Sequence, residues 1–164
     1  MATPTNLPAS QTTGNVLTAA YVNDLRGAFR VLQVVTATTT TVTTSSSTTY
    51  AASGLSASIT PQSASSKILV MTSNSIAKTA GDVNNGLFLR LRRGSTVLQT
   101  QGYVLFTGTG LIQVGTTSFI CLDSPNTTSA TTYDVQFANF VAAAQVEIQA
   151  NNSPSTITLM EISA

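Results

Sequence analysis

The sequence predicts an all-β protein, an antiparallel β-sandwich of jelly-roll type preceded by an extended N-terminal arm and one short α-helix. Three observations carry that prediction. From Val31 onward β-branched residues dominate nearly every segment, and apolar residues recur with the period of a strand. The segments are short, eight to ten in number, and separated by Gly, Pro and Asn turn signals without helical crossovers, which favours two packed antiparallel sheets over a parallel one. Finally, 164 residues with 42% apolar content suffice for a single core, since a chain of this length buries roughly 70% of its unfolded surface.

The elements follow in chain order. Pro4 and Pro8 disfavour helix, and Ser10 to Asn15 is rich in turn formers, so residues 1–16 read as an extended arm. From Val16 to Phe29 the residues Leu17, Tyr21, Val22, Leu25, Ala28 and Phe29 recur at spacings of three and four, with Thr18 placed as an N-cap. This amphipathic segment either lies against the body of its own subunit or anchors the arm on a neighbour. Residues 1–30 are accordingly taken as an attachment segment and residues 31–164 as the sandwich domain.

Threonine suits strands, so Thr36 to Thr49 reads as one long exposed strand or ribbon. Leu55, Ala57 and Ile59 alternate up to Pro61, and Lys67 to Ser73 is apolar on both faces, as in a central strand. Leu87, Leu89 and Leu91 share the core face of the next strand, leaving Phe88, Arg90 and Arg92 on a mostly wet face. Gly94-Ser95 turns this strand into Thr96 to Gln99 as a hairpin. Further strands are expected at Gly102 to Phe106, Leu111 to Val114, Thr117 to Leu122, Thr132 to Ala138, Gln145 to Ala150 and Thr156 to Ile162.

Composition narrows the function. More than a quarter of the chain is Ser or Thr, only 8% is charged, and histidine is absent. Nucleophilic sites of the Ser-His and Cys-His kinds therefore have no base, and one cysteine without histidine cannot furnish the usual zinc ligands. No catalytic, cofactor-binding or metal-binding residue is assigned, and no cofactor is expected. The six carboxylates (Asp24, Asp82, Asp123, Asp134, Glu147 and Glu161) leave glycosidase chemistry formally open, but the chain lacks tryptophan and has few tyrosines for a sugar platform. A net charge of +1 gives no footprint for nucleic acid. The longest apolar run, near Phe140 to Ala144, is far below the roughly 20 residues a membrane helix needs. The N-terminus has no secretory signature, which predicts synthesis in a cytoplasm without processing.

Arg90, Arg92 and Arg93 form the one dense charge cluster. They read either as a solvated strand face or as an ionic contact for acidic groups on a partner, since arginine pairs bidentately with carboxylates. Cys121, within Phe119-Ile-Cys-Leu122, reads as a packed apolar residue.

Several phrases together carry a resemblance: Asn15-Val-Leu-Thr-Ala-Ala-Tyr-Val-Asn-Asp-Leu-Arg26, Ser65-Ser-Lys-Ile-Leu-Val-Met71, Arg90-Leu-Arg-Arg-Gly-Ser-Thr-Val-Leu98, Leu122-Asp-Ser-Pro-Asn-Thr-Thr-Ser-Ala-Thr-Thr-Tyr-Asp-Val-Gln-Phe137 and Ser155-Thr-Ile-Thr-Leu-Met-Glu-Ile162. In order and spacing they resemble the small structural proteins of tailed-bacteriophage virions, of the head decoration, cement or fibre type, which join an N-terminal attachment segment to a Ser/Thr-rich β-domain. The resemblance implies a homotrimer on the outer surface of the head, a capsid decoration or cement protein made in the host cytoplasm. Its partners would be the major capsid protein or other virion proteins. Leu7, Val16, Leu17, Tyr21, Val22, Leu25 and Phe29 would supply the apolar contacts of the attachment segment. The alternative is a tail-fibre, tail-tip or head-fibre module that recognises host-surface glycans through the loops at Gly81 to Asn85 and Gly108 to Gly110.

Overall fold

A computed structural model of the chain describes residues 16, 18, 31–79, 84–142 and 144–163. The expected arm and helix lie outside the described residues, apart from Val16 and Thr18. Ten strands follow: β1 (Val31–Thr39), β2 (Thr43–Ser45), β3 (Ala51–Ile59), β4 (Lys67–Lys78), β5 (Asn85–Arg93), β6 (Thr96–Thr107), β7 (Gln113–Asp123), β8 (Thr131–Asn139), β9 (Val146–Ile148) and β10 (Ser155–Ile162). Every pairing between them is antiparallel.

The strands form two sheets. In one, β4 carries β7 along one edge, while β10 and β9 lie end to end along the other, followed outward by β1 and β2 in the same end-to-end manner. That sheet is therefore four strands wide, with the two positions on one side of β4 each interrupted once. The second sheet runs β3-β8-β5-β6. Counting each interrupted pair as one strand gives sheet orders 1-8-3-6 and 2-7-4-5, the interleaved double Greek key of a jelly roll. The fold class expected from the sequence is the one observed.

Strand periodicity fills the space between the sheets. Leu55, Ile59, Ile68, Val70, Ile76, Leu87, Leu89, Leu91, Phe119, Tyr133, Val135, Phe137, Val146, Ile148, Ile157 and Leu159 are all buried there. Full burial of such a side chain contributes roughly 1.5 to 3 kcal/mol.

The interruptions and edges are held by uncharged polar groups. Gln149, Asn151 and Asn152 take left-handed backbone conformations where β9 ends and β10 has yet to begin. The buried Gln149 amide, oriented by its hydrogen bonds, donates to the carbonyls of Thr41 and Ser53 at 3.0 Å each and accepts from Ser155 Oγ at 3.1 Å. It thus ties the gap between β9 and β10 to the gap between β1 and β2. At the open edge, Gln99 Nε2 and Gln101 Nε2 of β6 reach the other sheet and donate to the carbonyls of Ile120 (3.1 Å) and Ser118 (2.8 Å). Those side chains cap part of the free edge of β7, a position proteins more often protect with lysine or proline.

Several element boundaries differ from expectation. The Thr36 to Thr49 ribbon is broken at residues 40–42 and ends in bends, because it must pass the level where Gln149 fills the sheet. The two strands expected within 96–106 are one, β6, carrying three bulges. The two expected within 111–122 are likewise one, β7, and Leu111 and Ile112 fall in the preceding loop. That loop is held from below by the fully buried Lys78, whose Nζ donates to the carbonyls of Gly108 (2.7 Å) and Leu111 (2.9 Å). Cys121 is half-buried, and burial with the nearby Asp123 charge pushes its thiol pKa up, so it stays a protonated packing group.

Candidate functional site

Strand alternation splits the arginine cluster. Arg93 continues the core-facing series of Leu87, Leu89 and Leu91 at the end of β5, where its Nη1 donates to both carboxylate oxygens of Asp123 on the other sheet, at 2.8 and 2.7 Å. The hydroxyl of buried Tyr133 donates to the same carboxylate at 2.7 Å. Burial and that bond to Asp123 push the phenol pKa far above its ordinary value. The trio closes one end of the sandwich.

Arg90 and Arg92 lie on the outer face of the β3-β8-β5-β6 sheet, each beside its partner on β8. Arg92 Nη2 pairs with Asp134 at 2.9 Å. Arg90 donates from Nε and Nη2 to Gln136 Oε1 at 2.8 and 2.6 Å, and its guanidinium carbon sits 4.1 Å from the centroid of the Tyr50 ring. Burial raises the Tyr50 pKa, with the Arg90 charge opposing the shift. All three arginines are thus engaged within the chain.

Beyond Arg90 the same face becomes aromatic. Phe88 of β5, Tyr103 and Phe106 of β6, and Phe140 just after β8 meet in one cluster. Tyr103 is central, with ring centroids 5.0 Å from Phe140, 5.2 Å from Phe88 and 5.7 Å from Phe106. Phe140 in turn touches Phe88 at 6.0 Å and Phe106 at 5.8 Å. The rings are tilted or edge-on to one another, the arrangement favoured by the aromatic quadrupole. Yet the cluster is open to solvent: Tyr103 is 56% and Phe106 45% exposed.

The backbone is shaped to present these rings. Tyr103 and Phe106 are three residues apart, and in a regular strand they would face opposite ways. Bulges between Gln101 and Val104 and between Val104 and Thr107 correct the phase. Tyr103 and Leu105 accordingly take left-handed conformations, φ 57° and 53°. Two glycines make room: a Cβ at Gly102 would lie 2.7 Å from Phe88 Cε1, and one at Gly86 3.0 Å from Phe106 Cδ2. Strained backbone, glycines under rings and exposed aromatics coincide at one place, which makes this face the candidate site.

The arrangement offers apolar contact flanked by a polar ladder of Arg90, Gln136, Arg92 and Asp134, and no acid-base pair. Among the described carboxylates, Asp123 and Asp134 are ion-paired, Glu161 is buried in a hydrogen-bond network and Glu147 is half-buried on β9; Asp24 and Asp82 lie outside the described residues. No group of three or more potential metal ligands occurs among the described residues, and no helix there is long and apolar enough to cross a membrane.

Of the apolar attachment residues, Val16 is 83% exposed, while Leu7, Leu17, Tyr21, Val22, Leu25 and Phe29 lie outside the described residues. Of the two expected recognition loops, residues 81–83 also lie outside them, and Gly108 to Gly110 borders the cluster's strand β6. The aromatic cluster itself was not anticipated from sequence. A two-residue alternation leaves Tyr103 and Phe106 on opposite faces, and only the Gly-aromatic neighbours Gly102-Tyr103 and Gly86-Leu-Phe88 hinted at an irregular strand.

No protein-family model matches the chain, and no curated protein matches it. Solved structures with a related arrangement include the infectious bursal disease virus Gx strain (12% identity, TM-score 0.41, covering 80% of this chain and 37% of that one). The VP2 subviral particle of the same virus aligns at 11% identity and TM-score 0.40, covering 79% of this chain and 39% of that one. The chain spans little more than a third of the length of these solved chains. The jelly-roll assignment rests on strand order, not on these likenesses.

Proposed function

We propose that the chain is a non-enzymatic structural subunit of a bacteriophage virion, a capsid decoration or cement protein that binds the outer shell as a homotrimer and stabilises the head. The observation that carries this reading is the exposed aromatic cluster on strained bulges, in a jelly roll whose Arg90, Arg92, Arg93 and Lys78 are engaged within the chain. Aromatic side chains supply large rigid contact area and dominate protein interfaces. Modest contacts from each sandwich, multiplied over a trimer and joined by the first thirty residues, become intramolecular after the first and gain avidity. The partner is the major capsid protein or another shell component.

The test is reconstitution on shells lacking the protein. A chain without residues 1–30 and a Phe106→Ser variant should both fold, and each should lower shell occupancy at least tenfold. Unchanged occupancy for both would overturn the reading.

A second reading has its own support. Rings flanked by Arg90 and Gln136 also suit a sugar, whose C–H face stacks on aromatics while its hydroxyls meet polar groups. A tail-fibre, tail-tip or head-fibre module for host-surface glycans would lose host adsorption on Phe106→Ser while shell stability stayed intact.

A further inference from the structure

The outer face of the other sheet is divided across its middle. Pairing register places Val34, Met160, Leu69 and Leu122 in one row across four strands, and Thr36, Thr158, Met71 and Ile120 in the next. Ile162 lies one row beyond, opposite Lys67. After these, the face turns to hydroxyls: Thr38, Thr156, Ser73 and Ser118 form the following row. The hydroxyls satisfy one another, with Thr36 to Thr158 at 3.3 Å and Thr38 to Thr156 at 3.1 Å. The apolar half has no such self-sufficiency. Ile120 is 66%, Leu122 54% and Val34 53% exposed.

We infer that this apolar half is the docking site for residues 17–29 of the same chain. This goes beyond the proposed function and does not depend on where the protein resides. Chain continuity is the first argument. The amphipathic segment runs directly into Val31, the start of β1, and β1 is the edge strand whose N-terminal end borders the apolar rows. Its C-terminal end is therefore delivered to the corner of the patch without a linker, and the tether gives it a high effective concentration there.

Size is the second argument. Four strands span about 14 Å between the outer two, and the apolar rows extend about 13 Å along the strands. A 13-residue helix is about 20 Å long and about 10 Å wide, enough to cross the patch and cover its rows. Pattern is the third. Leu17, Tyr21, Val22, Leu25, Ala28 and Phe29 make one apolar stripe, the complement of rows whose hydroxyls, Thr36 and Thr158, already pair with each other. Docking fixes the point from which residues 1–16 leave the domain, so any reach toward a neighbour falls to those residues.

The test uses the full chain with the photo-crosslinker p-benzoylphenylalanine replacing Ile120, whose side chain is exposed. After irradiation, monomer-sized product whose cross-linked peptide maps within residues 17–29 is expected. Cross-links between chains, or none to 17–29, would overturn the inference. In parallel, trypsin should cleave after Arg26 at least tenfold more slowly in the native chain than in a Leu25→Asp variant, with the melting temperature of the domain little changed. Equal cleavage rates would also overturn it.

Discussion

Replacing Tyr103 separates the strain at the aromatic cluster from the packing of its ring. A non-glycine residue in the left-handed region stores roughly 1 to 2 kcal/mol, and Tyr103 sits there with φ 57°. Alanine would inherit that strain, whereas glycine would release it. Both changes remove three ring pairings, at 5.0, 5.2 and 5.7 Å. At the low end of the usual range, suited to a ring this exposed, they total about 1.5 kcal/mol. Tyr103→Ala should therefore destabilise by about 1.5 kcal/mol and Tyr103→Gly by only about 0.5 kcal/mol. In an ordinary strand the order is the reverse, with glycine worse than alanine by roughly 0.5 to 1 kcal/mol. Thermal denaturation resolves the two, since a difference of about 1 kcal/mol moves the midpoint by about 4 °C in a domain of this size. An alanine variant as stable as the glycine variant, or more so, would refute the claim that this strand is strained to present its ring.

Two further outcomes follow from the same geometry. Gly102→Ala places a methyl 2.7 Å from Phe88 Cε1, and that ring is hemmed in by Tyr103 and Phe140; a loss of about 1 to 3 kcal/mol is expected in denaturant titration, partly recovered by adding Phe88→Leu. Glu161 is fully buried and accepts from Gln33 Nε2 at 2.6 Å and the Gln62 amide at 2.7 Å. Burial pushes its pKa up, but these bonds outweigh it and leave the carboxyl below its ordinary value. The unfolded chain thus takes up this proton first, so the stabilisation is complete above the ordinary carboxyl pKa of 4.5 and is lost as pH falls through the lowered folded value. Glu161→Gln should cost about 2 kcal/mol at neutral pH, and stability curves of variant and parent should converge on acidification.

The jelly roll was legible in the sequence because its core positions alternate cleanly. Leu55, Ala57 and Ile59, or Leu87, Leu89 and Leu91, announce both strand and buried face. Where a side chain replaces a backbone partner, the pattern fails. Gln149 interrupts two neighbouring strands through its amide, and nothing in a Thr-rich stretch reveals that a glutamine a hundred residues away will occupy the gap. Bulges hide the candidate site for a related reason: one extra residue inverts the phase, so Tyr103 and Phe106 share a face that alternation assigns to only one of them. The arginine cluster shows the converse. Alternation alone separates Arg93 from Arg90 and Arg92, but its link to Asp123 needs the approach of two sheets that sequence does not order.

Hydroxyl-rich composition also takes on a position in the fold. Threonines cover one half of an outer sheet face and satisfy one another there, while the other half is left apolar. A surface divided in this way has one part suited to water and another suited to a partner.

The central claim is that this chain is a shell component, and its abundance in the particle tests that most directly. Gel densitometry of purified virions should find it in numbers comparable to the major capsid protein, and labelled antibody should decorate the head. A few copies per particle confined to the tail, or none at all, would contradict it.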